Sequence, residues 1–215
     1  MSVVIIIDSG VSNIRSIGRA LDHLEVSYEL DETGKKIHRA GHLILPGVGS
    51  FESGMNGLKK NNLFQSISEF VKKGNPLLGI CLGMQLLFER SEEFGCHEGL
   101  KLIDGNVKEI PSGKENNLER KIPHVGWNCL LKKNKSEDLQ SPLFNGLCPN
   151  DYYYFVHSFM AVPRNKKHIL ATTKYCDLEI VAAVKKENVT GVQFHPEKSG
   201  PSGLKLLKNF VSGSD

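Results

Sequence analysis

The stretch "LLGICLGMQLLFERSEE", residues 77–93, joins an apolar run to an amphipathic one and places a cysteine between two glycines. A strand that ends just before Cys81 and a helix that begins at Leu82 leave the cysteine alone in the turn. Gly79 and Gly83 stand where a side chain would collide with so tight a turn. The pattern is that of a nucleophile elbow, G-x-nucleophile-x-G, with sulfur as the nucleophile.

Such an elbow has a chemical purpose. It exposes a thiol above the carboxyl edge of a sheet, where the N-terminus of the next helix favours the thiolate and offers backbone N–H groups to an oxyanion. The alternative is that Cys81 is a small apolar side chain that fills space among leucines. The two flanking glycines alone leave both interpretations open.

A second motif, "GVQFHPEKSG" (191–200), favours the nucleophile. Pro196 breaks an apolar strand, so that His195 stands at the strand end and Glu197 follows two residues later. A cysteine nucleophile needs a base, and the base needs a carboxylate that fixes its tautomer. A lone histidine would more often be structural, but the combination predicts a catalytic triad of Cys81, His195 and Glu197.

The fold is predicted from the alternation of strand and helix patterns. "VVIIID" (3–8), "HLILP" (42–46) and "PLLGI" (76–80) are typical of buried strands. Between these strands, the apolar residues of "NIRSIGRALDHL" (13–24) and "FQSISEFVKKG" (64–74) recur at the spacing of a helix. We expect a three-layer, flavodoxin-like α/β fold, with a mixed, mostly parallel sheet covered by helices on both faces.

The second half of the chain has a different pattern of predicted elements. From about residue 100, strand patterns follow one another with few helices, which predicts antiparallel additions to the sheet. A final helix is expected at "SGLKLLKNFVSG" (202–213), and the polar, aperiodic stretch 111–121 is predicted to be a surface loop. With 215 residues, of which 40% are hydrophobic, we expect a single domain over residues 1–215.

Composition excludes several classes of function. The net charge is +3 and the charges are interspersed, so neither nucleic-acid nor membrane binding is expected. The N-terminal apolar stretch lacks the basic flank of a signal peptide, and no apolar run approaches the roughly 20 residues of a membrane span, which predicts a cytoplasmic protein. Five scattered cysteines without a CxxC pair argue against a disulfide framework and a zinc site. We expect no metal and no cofactor.

The loop "LPGVGSF" (45–51) carries a glycine on each side of Val48. Two glycines allow a peptide to change its orientation at low steric cost, although a plain tight turn would have the same composition. A dinucleotide site is not expected, because a G-x-G-x-x-G motif should follow the first strand and the sequence there reads "DSGVSNI".

These motifs together resemble a known family. "GICLGMQLL" and "GVQFHPE" are similar to the class I (triad) glutamine amidotransferases, and "LPGVGSF", "PHVGWN" and "YYYFVHSF" resemble one subfamily, the glutaminase subunits of imidazole glycerol phosphate synthases. The resemblance covers essentially the whole chain. It implies hydrolysis of L-glutamine to glutamate and ammonia, and a heterodimer with a (β/α)8 cyclase that forms imidazole glycerol phosphate and the purine precursor AICAR in histidine biosynthesis.

The resemblance also implies a substrate site. By the pattern of the family, Gln85 binds the substrate glutamine and Glu93 holds its α-amino group, while Ser158 and Phe159 bind its carboxylate and backbone. Taken without the family, these are a helix-surface amide, a solvated acid and two ordinary strand residues, and these alternatives stay open.

The oxyanion hole is implied in the same way. The backbone N–H of Val48, in the loop with Gly49, is expected to join that of Leu82 around the tetrahedral oxygen, after a peptide rotation when the partner binds.

The partner surface is implied by four further residues, Asn13, Trp127, Tyr154 and Lys198, of the aromatic and charged kinds that interfaces favour. An ordinary core position is the alternative for Trp127, the only tryptophan.

Other functions remain open at this point. The chain could supply ammonia to another synthase, such as one that amidinates a surface sugar. It could be a glutamine-binding subunit that has lost turnover, although the intact triad argues against this, or a general cysteine hydrolase that acts on esters or peptides.

Overall fold

A computed structural model describes residues 3–10, 12–115, 118–132, 141–148 and 150–213. Within these ranges the α-helices are α1 (Ile14–His23), α2 (Phe51–Lys60), α3 (Leu63–Lys72), α4 (Leu82–Leu86) and α5 (Gly200–Ser212). The strands are β1 (Val3–Ile7), β2 (Tyr28–Asp31), β3 (Ala40–Gly47), β4 (Leu77–Cys81), β5 (Phe88–Ser91), β6 (His97–Glu98), β7 (Ile103–Glu109), β8 (Lys114–Glu115), β9 (Leu118–Glu119), β10 (His124–Cys129), β11 (Leu131–Lys132), β12 (Tyr152–His157), β13 (Phe159–Pro163), β14 (Ile169–Tyr175), β15 (Leu178–Lys186) and β16 (Val189–Val192).

The central sheet has eight strands in the order β11-β14-β15-β16-β4-β3-β1-β2. Neighbouring strands from β16 to β2 run parallel, whereas β11, β14 and β15 add on with antiparallel pairing. This confirms the predicted mixed, mostly parallel sheet with antiparallel additions from the second half of the chain.

Each face of the sheet is covered because successive side chains of a strand point to opposite sides. Ile5 and Ile7 of β1 pack with α2, α3 and the smaller sheet β13-β7-β5-β6. Val4 and Ile6 pack with α1, α5 and β12, the strand that pairs with β10 in a two-stranded ribbon. The buried strands are apolar on both faces, as expected for parallel strands between two layers.

Two local expectations need correction. The stretch 111–121 is not a loop throughout, because β8 and β9 pair antiparallel within it. Sequence patterns also do not predict α2, since Gly54 and Gly57 weaken a helix in isolation. Tertiary packing explains the second glycine: a Cβ at Gly57 would lie 2.0 Å from the Ser9 carbonyl oxygen, closer than any side chain can approach.

The carboxyl ends of three parallel strands meet at one edge of the sheet. Gly47 at the end of β3 pairs with Cys81 at the end of β4, and Val192 at the end of β16 pairs with the residue before Cys81. Helix α4 leaves this edge in very close contact with β3. A Cβ at Gly83 would lie 1.8 Å from the Leu45 carbonyl oxygen, and one at Gly79 would lie 2.7 Å from the Gly83 carbonyl oxygen.

The predicted need for glycine at both positions is therefore confirmed, and it can be tested by substitution. Gly83→Ala should lower the free energy of unfolding by about 3 kcal/mol, the upper end of the usual cost of overpacking, because its methyl group meets rigid backbone. Urea unfolding followed by circular dichroism measures this change.

Gly54→Ala is the matched control. Its methyl group meets no backbone atom but the ends of the Leu86 side chain, at 3.1 and 3.2 Å, and of the Leu82 side chain, at 3.3 Å, and alanine favours a helix by about 1 kcal/mol over glycine. A Gly83→Ala protein as stable as wild type would contradict the close approach of α4 to β3.

Candidate active site

Cys81 occupies the elbow that the sequence predicts. It ends β4, immediately precedes α4, and has φ 55° and ψ −113°, a backbone conformation that costs a non-glycine residue about 1–3 kcal/mol. Its side chain packs against the core and also lines a cavity at the edge of the sheet. A residue that only filled space would have no need of this strained conformation.

His195 and Glu197 form the second half of the site. His195 follows β16 and leads into a 3₁₀ turn, Pro196–Lys198, which brings the carboxylate back to the ring. His195 Nδ1 lies 2.8 Å from Glu197 Oε1, and both side chains are almost completely buried. The other ring nitrogen, Nε2, is buried and has no hydrogen-bond partner among the described residues. The ring is thus fixed on one side and available for chemistry on the other.

The charge state of His195 follows from its neighbours. Burial alone would lower its pKa, but interactions with Cys81 and Glu197 outweigh burial and raise the pKa to about 10. At neutral pH the imidazole is therefore protonated when the thiol is ionised. This pairing of a thiolate with an imidazolium is the activated state of a cysteine nucleophile.

One cavity of about 430 Å³ contains the thiol and the base. It is large enough for an amino acid, and it contains all of the residues predicted to bind substrate or to form the oxyanion hole. Its walls are Val48, Gly49, Cys81, Leu82, Gln85, Glu93, Phe94, Pro123, Val156, His157, Ser158, Phe159 and His195. Glu197 does not line the cavity, because it lies behind the His195 ring.

The predicted substrate residues are not surface groups. Gln85 and Glu93 are 5% and 9% exposed, so the alternatives of a surface amide and a solvated acid are wrong. Gln85 Nε2 donates to the Phe159 carbonyl oxygen at 3.1 Å. Glu93 Oε2 accepts from the backbone N–H of Phe51 at 2.5 Å, at the first turn of α2. Both side chains are held by protein groups while they face the cavity.

Two backbone groups are placed to receive an oxyanion. Leu82 is the first residue of α4, so its N–H has no acceptor within the helix. Val48 lies in the loop after β3, and the following Gly49 has φ +89°, which strongly favours glycine. Both residues border the same cavity as Cys81. Their role as oxyanion donors stays a prediction.

The predicted partner residues lie around Tyr154, whose ring centroid is 6.4 Å from that of His195. Trp127 is 52% exposed, so a core position is wrong, and its ring centroid lies 5.7 Å from that of Tyr154. Lys198 Nζ lies 5.8 Å from the centre of the Tyr154 ring. Asn13 precedes α1, the helix that contacts the 3₁₀ turn carrying Lys198. Their role in binding a partner stays a prediction.

Sequence reasoning missed three residues around the cavity. Phe94 has φ 52° and is 86% exposed, with its ring centroid 6.4 Å from that of Phe159 at the cavity wall. Gln193 is fully buried and hydrogen bonds to Gln85. His157 had a usable signal: in "YYYFVHSF" alternate residues are buried, and this alternation turns His157 inward.

Other kinds of site were also considered. Among the described residues, no group of three or more His, Cys, Asp or Glu side chains is placed to hold a metal ion. The described helices include none long and apolar enough to cross a membrane. All five cysteines are free.

Comparison with known proteins agrees with the geometry. Residues 5–213 match the family model of the class-I glutamine amidotransferases. The imidazole glycerol phosphate synthase subunit HisH 1 of Legionella pneumophila (strain Paris) is 47% identical over 98% of this chain and 99% of its own length. The subunit HisH of Geobacillus sp. (strain WCH70) is 44% identical over 96% and 95%.

Solved structures support the fold. A crystal structure of a glutamine amidotransferase superposes with a TM-score of 0.73 at 16% identity, covering 97% of each chain. The structure of PurLQS from Thermotoga maritima superposes with a TM-score of 0.71 at 19% identity, covering 99% of each chain.

The charge state of His195 gives a prediction for NMR. In the wild type the His195 imidazole should stay protonated up to a pH of about 10. Cys81→Ala removes the sulfur that faces the ring and leaves Glu197, so the pKa of His195 should fall toward the ordinary value of about 6.5. A pH titration that follows the imidazole ¹⁵N chemical shifts measures this pKa.

The control is Cys96→Ala, which removes an exposed thiol outside the cavity. It should leave the His195 titration unchanged. A pKa that did not move in Cys81→Ala would mean that the thiol and the imidazole do not form a pair.

Proposed function

The chain belongs to the class-I glutamine amidotransferase family, and on this premise we propose that it is the glutaminase subunit of an imidazole glycerol phosphate synthase. The observation that carries the proposal is the Cys81 elbow facing the His195–Glu197 pair in one amino-acid-sized cavity. Relatives that bear the name of this synthase match nearly the full chain at 44–47% identity. This favours histidine biosynthesis over a synthase that amidinates a sugar.

The first half-reaction forms a thioester. The Cys81 thiolate attacks the side-chain amide carbon of glutamine, and the carbonyl oxygen becomes an oxyanion. The backbone N–H groups of Val48 and Leu82 donate to that oxygen. His195, protonated on Nε2, then gives its proton to the amide nitrogen, so that the C–N bond breaks and ammonia leaves.

The second half-reaction releases glutamate. His195 is now neutral and takes a proton from water through Nε2, and the resulting hydroxide attacks the thioester carbon. Collapse of this second tetrahedral intermediate breaks the C–S bond and restores the Cys81 thiolate and the protonated imidazole. Glu197 stays ionised throughout and keeps the His195 ring in one orientation, with Nδ1 carrying a proton.

Ammonia must reach its acceptor without loss to water, so the subunit acts in a heterodimer with a (β/α)8 cyclase. The aromatic and charged group around Trp127, Tyr154 and Lys198 is suited to that contact, since it is exposed and adjoins the catalytic base. The products of the complex are imidazole glycerol phosphate and AICAR. We infer a cytoplasmic location, where the glutamine consumed by biosynthesis is available.

A complex with the cyclase tests the function directly. Cys81→Ser should lower glutamine-dependent formation of imidazole glycerol phosphate on the order of 10⁴-fold or more, as expected when a triad loses its nucleophile. The same complex should keep its full rate with ammonium salts, because the cyclase site does not need the thiol. Product formation is followed with each nitrogen source.

The control is Cys176→Ser in the same complex, which should support both nitrogen sources. If Cys81→Ser used glutamine as well as wild type does, the assignment of the nucleophile would be wrong. If neither the wild type nor Cys176→Ser supported product formation by the cyclase with glutamine, the choice of synthase would be wrong.

We expect turnover to depend on the partner because of the loop that carries Val48 and Gly49. A loop that turns its donor toward the oxyanion only when the cyclase binds would change the rate by about 10² to 10³, the value of one oxyanion donor. Gly49→Val places a β-branched residue at φ +89° and should remove most of that activation, while Cys81 still reacts with an electrophilic glutamine analogue.

Gly74→Val is the matched control, since Gly74 has φ +84°, equally open space and a position at the far end of α3. It should lose stability but keep the activation by the cyclase. Equal glutamate release by the free wild type and its complex would contradict a switch at this loop and leave the triad unaffected.

A further inference from the structure

Two buried histidines outside the triad form a chain of short hydrogen bonds. His124 Nδ1 lies 2.9 Å from His157 Nε2, and His157 Nδ1 lies 2.8 Å from the Phe159 carbonyl oxygen. At the other end, Asn128 Nδ2 lies 2.7 Å from His124 Nε2. Every ring nitrogen of both histidines therefore has a partner, in contrast to His195.

The direction of this chain follows from its one obligate acceptor. A carbonyl oxygen can only accept, so His157 Nδ1 must carry a proton and Nε2 of a neutral ring must accept. His124 Nδ1 then donates to His157, and His124 Nε2 accepts from the Asn128 amide. The order of donors is thus fixed from β10 to the carbonyl of Phe159.

Both rings are neutral and held in place. Burial lowers the pKa of His124 to about 4, and burial is also the main cause that lowers the pKa of His157 to about 3. The His124 ring is stacked between Phe155 and Tyr175, at centroid distances of 4.9 and 4.0 Å. His157 therefore does not serve as a second general base beside His195.

One end of the chain reaches the substrate cavity. The Phe159 carbonyl oxygen that accepts from His157 also accepts from Gln85 Nε2. Gln85 Nε2 donates in addition to Gln193 Oε1 at 3.1 Å, and Gln193 Nε2 lies 3.9 Å from Cys81 Sγ. The position of the Phe159 carbonyl group thus affects Gln85, the side chain predicted to bind glutamine.

The other end of the chain lies on β10, the strand that carries Trp127 of the proposed partner surface. Asn128 directly follows Trp127 on β10, and β10 is paired only with β12 among the described strands. This ribbon exposes Val125, Trp127 and Tyr152, which are each more than half accessible. A protein that docks on the ribbon presses on the strand that holds both His124 and Asn128.

We propose that His124 and His157 are positioning residues, which fix the Phe159 carbonyl and Gln85 for glutamine binding and couple this pocket to partner docking on β10. The coupling rests on the proposed function, whereas the positioning concerns the chain alone. Neither histidine touches the reacting atoms, and the tests below separate these roles from a purely structural one.

The first test labels Cys81 in the isolated chain with a diazoketone analogue of glutamine. His157→Phe removes the donor to the Phe159 carbonyl and should raise the half-saturating concentration of the analogue about 2- to 12-fold, the value of one hydrogen bond. His157→Asn places an amide donor where Nδ1 stood and should recover most of that loss. No loss in His157→Phe, or no recovery in His157→Asn, overturns the positioning role.

The second test measures glutamate release with and without the cyclase. His124→Phe keeps an aromatic ring between Phe155 and Tyr175 but breaks the chain, so the activation ratio should fall about 2- to 30-fold. His42→Phe is the matched control, since His42 is an aromatic-packed histidine against Phe210, away from the cavity. An activation ratio in His124→Phe equal to that in His42→Phe overturns the coupling.

Two further measurements separate the proposed roles from a loss of fold and from a different protonation of the rings. Thermal unfolding of each variant identifies a loss of fold, and imidazole ¹⁵N shifts of the wild type should show both rings neutral with the proton on Nδ1. A proton on Nε2 of either ring overturns the proposed chain. If the wild type itself is not activated by the cyclase, the coupling is overturned, whereas the proposed function is decided by glutamine-dependent product formation and the positioning role by the labelling test on the isolated chain.

Discussion

The structure depends on one close approach of backbone to backbone, where α4 leaves the sheet against β3. Gly83 lies so near the Leu45 carbonyl that no side chain fits between them, and a side chain at Gly79 would collide with the backbone at the start of α4. Because the chain must turn from strand to helix within this space, Cys81 is forced to positive φ. The thiol thereby lines the cavity, and the first N–H of α4 is left for the oxyanion role that we propose.

Neighbouring groups then decide how the two buried histidines of the cavity differ. His195 and His157 are both nearly inaccessible, and burial disfavours charge on both. His195 faces a thiol and a carboxylate, which restore the charge and raise its pKa to about 10. His157 faces a carbonyl and another neutral ring, so its pKa falls to about 3. In the proposed mechanism, the same residue type therefore serves as acid and base in one place and as a fixed hydrogen-bond link in the other.

The sequence predicted the parts of the site that local spacing determines. The two glycines around Cys81, and the proline between His195 and Glu197, are constraints of a few residues each, so their geometry can be read without the fold. His124 and Gln193 could not be found in this way, because their roles come from contacts with residues 33 and 108 positions away. Helix α2 was missed for the same reason, since its glycines are explained only by packing against Ser9 and Leu86.

The base and the proposed partner surface meet in a single residue, Tyr154. Its carbonyl oxygen accepts from the backbone N–H of His195 at 2.9 Å, and its own N–H donates to Ser199 Oγ, which in turn donates to the His195 carbonyl. Its ring lies between Trp127 and Lys198. A partner that moves this ring must therefore act on a backbone that is hydrogen bonded to His195 once directly and once through Ser199. In the proposed heterodimer, docking can thus reach His195 through Tyr154, whereas the proposed oxyanion loop at Val48 needs a rotation of its own peptide.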